Sequence, residues 1–244
     1  MITSLENEKI KRIVKLHSKK YRDQFGRYLV DGEHLIKEAY KNGLLEEIFL
    51  LENSQIDIDI DKTFVSEQVM KKISPLDSVP NMIGVCHKKK EKNELGNHIL
   101  ILDEIQDPGN LGTIIRSAVA FNVDTIVLSL NTVDLYNSKV LRASQGMFAY
   151  INIIRRDTNK IIKEIKELNI PVYGTNVVDG YDVKKIESKD KFCLVMGNEG
   201  QGLRKEIQEL CDKNLYIPMN KNVESLNVGV ACSILLYELG GEHE

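Results

Sequence analysis

Three segments of the sequence combine glycines with polar side chains directly after short apolar runs. The first spans residues 103–116 and reads DEIQDPGNLGTIIR. Its Pro108–Gly109 pair predicts a turn, and Asn110 can cap the following helix, whose N-terminus would favour an anion. Arg116 lies about two helical turns further on, within reach of that end. An ordinary strand–turn–helix junction with a surface arginine has the same pattern, so both interpretations stay open.

The second segment, residues 195–203 (VMGNEGQGL), places three glycines within six residues around a carboxylate. Glycines allow positive φ angles and a close approach of the backbone to a flat ligand. A tight strand–helix connection is the alternative, although such connections rarely need three glycines. The carboxylate of Glu199 would be costly to hold there without a partner. We expect that partner to be Arg116 or a cationic ligand.

The third segment, residues 217–231 (IPMNKNVESLNVGVA), begins with a strand-ending proline and runs through a polar loop into an apolar helix. Ser225 or Asn227 can cap that helix, and a capping serine can also contact a ligand. No histidine or cysteine lies in any of the three segments. Acyl-transfer hydrolysis and thiol chemistry are therefore not expected, and binding and orientation would do most of the catalytic work.

The elements around these segments predict an α/β fold. After residue 98, short apolar runs typical of buried parallel strands alternate with helical periodicities. The predicted strands cover residues 99–103, 125–128, 172–175, 192–196 and 215–217, and the predicted helices cover 111–121, 158–168, 203–210 and 226–239. In such a sheet, ligands bind beyond the carboxyl ends of the strands. We therefore expect the three segments to form one site.

The N-terminal part predicts a smaller α/β domain. Ser4 or Asn7 can cap its first helix, and Ser66 can cap its third. The predicted helices cover residues 5–16, 33–42 and 67–73, and the predicted strands cover 28–30 and 47–51. Residues 87–98 (HKKKEKNELGNH) are highly charged and aperiodic. They predict a domain of residues 1–87, a linker of residues 88–97 and a domain of residues 98–244.

Composition excludes several classes of protein. The 244 residues include 42% hydrophobic and 28% charged side chains, which excludes a collagenous, low-complexity or coiled-coil chain. The four cysteines are far apart and the histidines do not cluster, so neither a disulfide framework nor a metal site is expected. The sequence has no signal peptide and no apolar stretch of about 18 residues, so we expect a cytoplasmic protein without a membrane partner.

The formal net charge of −3 conceals a basic N-terminus. Residues 1–27 contain eight lysines or arginines and three acidic residues, a local net charge of +5. Such a face can pair with nucleic-acid phosphates, although a basic helix face is often merely solvated. The candidate phosphate-binding residues of this face are Lys9, Lys11, Arg12, Lys15, Lys19, Lys20, Arg22 and Arg27.

Taken in order, the three segments resemble the three motifs of the SpoU (TrmH-like) branch of the SPOUT RNA methyltransferases. The resemblance rests on NLGTIIR at 110–116, MGNEGQGL at 196–203, and IPM with ESLNV at 217–219 and 224–228. It covers residues 98–240, and residues 26–40 resemble the ribosomal L30e-like domain that often precedes this one. The resemblance implies a C-terminal SPOUT domain, a parallel sheet with a deep trefoil α/β knot, beside a smaller L30e-like α/β domain.

The resemblance also implies methyl transfer from S-adenosyl-L-methionine to a ribose 2′-hydroxyl of RNA, by a homodimer formed through the C-terminal domain. The residues implied to bind the cofactor are Thr175, Met196, Gly197, Asn198, Gly200, Ile217, Met219, Ser225 and Leu226. The residues implied in catalysis are Asn110, Arg116, Glu199, Ser225 and Asn227. The resemblance also makes Arg116, Arg142 and the basic residues of the N-terminus candidate contacts to RNA. Gly229 departs from the family, which more often has serine or alanine there, and a glycine loosens the start of a helix.

A ribose hydroxyl is a very weak acid, so some group must accept its proton or stabilise the alkoxide. Because a guanidinium keeps its proton in proteins, we favour Arg116 as a cation that stabilises negative charge, with a role as base as the alternative. Glu199 would orient Arg116 or the target nucleotide. Ser225 and Asn227 would bond to the cofactor or to the 2′-oxygen.

The leading hypothesis is a ribose 2′-O-methyltransferase of 23S rRNA, because tRNA members of the family commonly carry helical extensions in place of the L30e-like domain. A tRNA 2′-O-methyltransferase is one alternative. A noncatalytic RNA-binding or ribosome-assembly factor is another. A dinucleotide-binding enzyme is poorly supported, because the chain lacks the G-x-G-x-x-G fingerprint.

Overall fold

The computed structural model describes residues 1–76, 78–177, 180–186 and 190–240. The chain divides into two compact units, Met1–Lys90 with Asp134–Ala149, and Glu91–Val133 with Tyr150–Glu244. Residues 134–149 lie within the predicted 98–244 domain in sequence but belong to the first unit. We call this segment the excursion. No helix among the described residues is both long and apolar enough to cross a membrane.

The secondary structure alternates in both units. The helices are α1 (Glu8–Lys15), α2 (Lys19–Phe25), α3 (Glu33–Lys41), α4 (Glu67–Ile73), α5 (Pro108–Ala120), α6 (Ser138–Ala143), α7 (Thr158–Glu167), α8 (Lys205–Leu210) and α9 (Val228–Leu239). The strands are β1 (Arg27–Asp31), β2 (Leu45–Leu51), β3 (Asp61–Val65), β4 (Met82–His87), β5 (His98–Leu102), β6 (Thr125–Leu128), β7 (Asn152–Arg155), β8 (Val172–Thr175), β9 (Tyr181–Asp182), β10 (Phe192–Met196) and β11 (Lys213–Tyr216).

The first unit is built on a mixed sheet with the order β1–β4–β2–β3. β4 is antiparallel to both of its neighbours, and β2 and β3 are parallel. Helices α1 and α4 pack on this sheet through Ile10 and Met70, which share a fully buried cluster with Phe49. The side chain of Asn7 caps α1 by accepting the N–H of Lys9 at 2.9 Å.

The second unit is built on a parallel sheet with the order β7–β6–β5–β10–β8–β11–β9. In β10, Cys193 and Val195 join the core beneath α7 and α8, while Leu194 is buried on the opposite face. Burial on both faces explains why these strands have uninterrupted apolar sequences. Because β5, β10, β8 and β11 are neighbours, the segments that follow them lie at one end of the sheet.

The start of α5 differs from the expectation, and the start of α9 decides between the two caps that the sequence allowed. Asn110 does not cap α5; the cap is Asp107, whose side chain accepts the N–H of Asn110 at 2.8 Å. Pro108 is then the first helical residue, where its fixed φ suits the helix and its missing N–H costs nothing. At α9, Asn227 is the cap and Ser225 lies outside the helix.

Candidate active site

A cavity of about 260 Å³ lies beyond the ends of β8, β10 and β11 in the second unit. All nine residues predicted to bind a cofactor line it: Thr175, Met196, Gly197, Asn198, Gly200, Ile217, Met219, Ser225 and Leu226. Lining residues that the sequence did not single out include Asn176, Val177, Leu203, Gln208, Leu215, Val228, Ala231 and Leu235. Most of these are apolar residues of strand ends and helix faces, whose sequence signal is that of ordinary core.

The chemistry of this lining fits a nucleoside-type cofactor such as S-adenosyl-L-methionine. Apolar side chains such as Leu215, Ile217 and Leu226 can cover a flat ring, and backbone groups with the Ser225 hydroxyl can bind its polar edges. Across the described ranges, no group of three histidine, cysteine, aspartate or glutamate side chains is placed to hold a metal ion.

Two glycines of the loop 197–203 are required by the loop itself. Asn198 and Gly202 exchange two backbone hydrogen bonds, of 3.0 and 2.9 Å, and Gly202 has a φ of 70°. A Cβ on Gly197 would lie 2.3 Å from the carbonyl carbon of Gly202, so no larger residue fits there. Gly200 is unconstrained, because only the Asn198 side chain, at 3.7 Å, would come near its Cβ. The close approach of a ligand is therefore not needed to explain Gly197 and Gly202.

The carboxylate of Glu199 is held by the start of the α5 segment. The N–H groups of Gln106 and Asp107 donate to it at 3.2 and 2.9 Å, and the side-chain amide of Asn110 donates at 3.3 Å. Burial raises the pKa of Glu199, but these hydrogen bonds outweigh burial and leave its pKa below the ordinary value. The sequence led us to expect Arg116 or a cationic ligand as the partner of Glu199, whereas its partners in the structure are these two backbone N–H groups and the amide of Asn110.

A second contact connects the α5 segment to the start of α9. The side-chain amide of Asn227 donates to the Asn110 side-chain oxygen at 2.9 Å. The Asn227 oxygen accepts the N–H groups of Gly229 and Val230 at 2.9 and 3.3 Å. Glu199, Asn110 and Asn227 thus form one hydrogen-bonded row that joins all three sequence segments.

Arg116 does not belong to this row. It is exposed on α5 and does not line the cavity. Within the part of the chain that the structure describes, its guanidinium makes no hydrogen bond and no ion pair. A guanidinium without an internal partner can bind a phosphate or a developing oxyanion of a substrate.

The candidate RNA-binding cations of the first unit fall into two groups. Arg12, Lys15, Lys19 and Lys20 are exposed and make no ion pair with any described residue. The paired group consists of Lys9 with Glu47, Lys11 with Glu6 and Glu8, Arg27 with Glu46, and Arg142 with Asp31. Local acidic residues therefore neutralise about half of the predicted basic surface.

Arg22 departs from its predicted role. It is only 8% exposed, and its Nη2 lies 2.6 Å from the carboxylate of Asp134 in the excursion. Its Nη1 donates to the carbonyl oxygens of Leu16 and His17, both at 2.8 Å. The guanidinium is used inside the first unit, so Arg22 packs α2 and the excursion together and is not a surface contact for RNA.

Comparisons with known proteins cover both units. The SpoU rRNA Methylase family matches residues 97–237, and the MRM3-like substrate binding domain matches residues 7–84. The Bacillus subtilis 23S rRNA (guanosine(2553)-2′-O)-methyltransferase RlmP is 38% identical over 98% of this chain and 99% of its own length.

Solved structures show the same fold over nearly the whole chain. A structure of the AdoMet-bound rRNA methyltransferase from Sinorhizobium meliloti is 29% identical, with a TM-score of 0.85 over 98% of this chain and 96% of that one. A crystal structure of an RNA 2′-O ribose methyltransferase is 28% identical, with a TM-score of 0.83 over 98% of this chain and 97% of that one.

Proposed function

The chain belongs to the SpoU rRNA methylase family, and on that premise we propose that it transfers the methyl group of S-adenosyl-L-methionine to a ribose 2′-hydroxyl of 23S rRNA. The observation that carries this proposal is the 38% identity to a 23S rRNA 2′-O-methyltransferase over the full length of both chains. That identity includes the first unit and so favours rRNA over tRNA. We propose the guanosine equivalent to position 2553 as the target.

The cofactor supplies the methyl group as an electrophile on its sulfonium sulfur. The 2′-oxygen would gain the methyl group, the sulfonium would be left as a neutral thioether, and the hydroxyl proton would pass to solvent water, so negative charge would grow on that oxygen as the proton leaves. We assign Arg116 to stabilise this charge, because its guanidinium is exposed and has no partner among the described residues. The row of Glu199, Asn110 and Asn227 would fix the polar groups around the reacting atoms.

We further propose that two copies associate through the second unit. Helix α9 exposes Val230 and Tyr237, seven residues apart and therefore on the same side of the helix. Exposed apolar side chains grouped on one face are typical of protein interfaces. Action on rRNA would place the dimer in the cytoplasm, where ribosomes are made.

The test is to map ribose methylation of 23S rRNA in cells with and without this protein, and to measure methyl incorporation from labelled S-adenosyl-L-methionine in vitro. We expect one 2′-O-methyl group, at the guanosine equivalent to 2553, to disappear with the protein. Methyl incorporation into tRNA but not into rRNA would overturn the proposal that rRNA is the substrate. If the protein binds RNA but neither cofactor nor methyl group, it is a noncatalytic RNA-binding or assembly factor.

A further inference from the structure

Both ends of the loop 197–203 are attached to a single residue. The N–H of Asp103 donates to the carbonyl of Met196, just before the loop, at 2.8 Å. The Asp103 carboxylate accepts two hydrogen bonds from Arg204, just after the loop: Nε donates at 2.9 Å and Nη2 at 3.0 Å. Asp103 directly follows β5, the neighbour of β10, so the residue after the adjacent strand closes the loop at both ends.

The burial of Asp103 shows that this arrangement is specific. Its side chain is 1% exposed, whereas that of Arg204 is 36% exposed. The hydroxyl of Thr158 also donates to the carboxylate, at 2.7 Å. A buried carboxylate is costly unless it is paired and fully hydrogen-bonded, and such a pair fixes geometry more than it adds stability.

The segment held in this way forms one wall of the cavity, and every residue of the loop lines it. The middle of the loop has other attachments, from the Asn198 amide to the carbonyl of Glu104 at 2.9 Å and from Glu199 to the start of α5. These contacts fix two side chains, while at the end of the loop the Gln208 side-chain amide donates to the carbonyl of Leu203 at 2.7 Å and the ion pair holds the next residue, Arg204.

We propose that Asp103 and Arg204 are a positioning pair, which holds the loop 197–203 in the conformation that binds the cofactor. The inference rests on the proposed function for the identity of that cofactor. Neither side chain lines the cavity, so both would act through the loop. Loss of the pair should loosen the loop and weaken cofactor binding without removing any group that touches the cofactor.

The experiment compares wild type with Asp103→Asn, Arg204→Gln, Arg204→Lys and the Asp103→Asn/Arg204→Gln double variant. Calorimetric titration with S-adenosyl-L-methionine should give a Kd about ten-fold higher for each of the first two variants. Arg204→Lys should recover part of the affinity. The double variant should bind no more weakly than the weaker single variant, because both remove the same interaction.

Glu206→Gln is the matched control, because it removes the other ion pair of Arg204, at 2.8 Å from Nη1, and leaves Asp103 untouched. Its Kd should equal that of wild type. Amide hydrogen exchange at Gly202, measured without cofactor, should be faster in Arg204→Gln than in wild type and Glu206→Gln. Thermal unfolding shows whether a change in Kd merely follows lost stability.

The two readouts separate the possible failures. Unchanged exchange at Gly202 in Arg204→Gln overturns the positioning role, whatever the cofactor is. Unchanged Kd values alongside a lower Tm overturn it as well, since the pair would then only stabilise the fold. If exchange at Gly202 is faster in Arg204→Gln but the wild-type protein does not bind S-adenosyl-L-methionine, the positioning role stands and the proposed function is contradicted. Arg204→Gln carries the test if Asp103→Asn does not fold, because Arg204 is partly exposed.

Discussion

Arg116 combines exposure with the absence of an ion pair or hydrogen bond within the described residues, unlike most of the other arginines that the structure describes. We predict that Arg116→Lys lowers the rate of methyl transfer about 100-fold, because an ammonium cannot make the planar, two-point contact of a guanidinium. The Kd for S-adenosyl-L-methionine should not change, since Arg116 does not line the cavity. Single-turnover methylation of rRNA and calorimetric titration measure the two quantities.

The pH dependence of the methyl-transfer rate distinguishes a role of Arg116 as a cation from a role as a base. If Arg116 acts as a cation, the lysine variant should keep the shape of the wild-type pH profile at a lower rate. A base at this position would instead shift the profile towards lower pH in the lysine variant, because an ammonium gives up its proton more readily than a guanidinium. Near-normal activity of Arg116→Lys would rule out any specific role for the guanidinium.

The residue types predicted which segments form the site better than they predicted the hydrogen-bond partners within it. Glu199 needed a partner, as the sequence indicated, but the partners are two backbone N–H groups and Asn110. Backbone donors are present at every residue except proline, so no sequence pattern distinguishes those that will point at a carboxylate. Asp103 illustrates the same limit, since its partner Arg204 is 101 positions away.

At the scale of elements, buried parallel strands and capped helices could be predicted because their signals are local. Strands β5, β6, β8 and β10 lie within a residue of the predicted bounds. The sequence did not predict α2, β3, β4, α6, β7 or β9. Strand β4 contains Gly84, which weakens the strand signal; a Cβ there would lie 2.8 Å from a terminal methyl of Leu45, in a closely packed part of the sheet. Helix α2 lacks apolar periodicity because its buried residue is Arg22.

The cations of α1 and α2 include some that form ion pairs and some that are exposed without one. This difference leads to a prediction about RNA binding. The ammonium groups of Lys15 and Lys20 lie 5.6 and 5.7 Å from the ring of Tyr21, so cations and an aromatic ring share one face. We predict that Lys15→Gln/Lys19→Gln weakens binding of a 23S rRNA fragment about ten-fold. It should also reduce the slope of log Kd against log salt by about 1.5, because two phosphate contacts are lost.

The control for this prediction is Lys9→Gln/Lys11→Gln, which removes the same charge from the same region. Its effect should be small, because acidic side chains already neutralise both lysines. Fluorescence anisotropy at several salt concentrations measures affinity and slope together. Equal effects of the two double variants would show that the affinity for RNA depends only on the net charge of the N-terminus.

For the molecule as a whole, the division into units depends on contacts that sequence patterns do not reveal. The excursion packs in the first unit through Tyr136 and Phe148, whose rings lie 4.6 and 5.9 Å from that of Tyr28. It is also held by the ion pair between Asp134 and Arg22. These partners are more than 100 positions apart, so periodicity assigns the excursion to the domain that surrounds it in sequence.

Charge is likewise divided along the chain. Residues 1–97 carry 17 basic and 16 acidic side chains, whereas residues 98–244 carry 16 and 20. The total of −3 therefore says little about RNA, because four exposed cations without ion pairs, Arg12, Lys15, Lys19 and Lys20, lie close together in sequence on α1 and α2. The arrangement of charge, and not its sum, is the property relevant to binding phosphates.

Dimerisation is the remaining property of the whole molecule, and α9 provides its test. Val230 and Tyr237 are 47% and 56% exposed, and a carboxylate at either position would be buried without a partner if two copies meet there. We predict that light scattering gives twice the 27.8 kDa of one chain for wild type, and the mass of one chain for Val230→Glu/Tyr237→Glu. Leu168→Glu should remain dimeric, although Leu168 at the end of α7 is 54% exposed, because it lies on a different helix. A monomeric wild type, or a dimer that only Leu168→Glu disrupts, would show that α9 is not the interface.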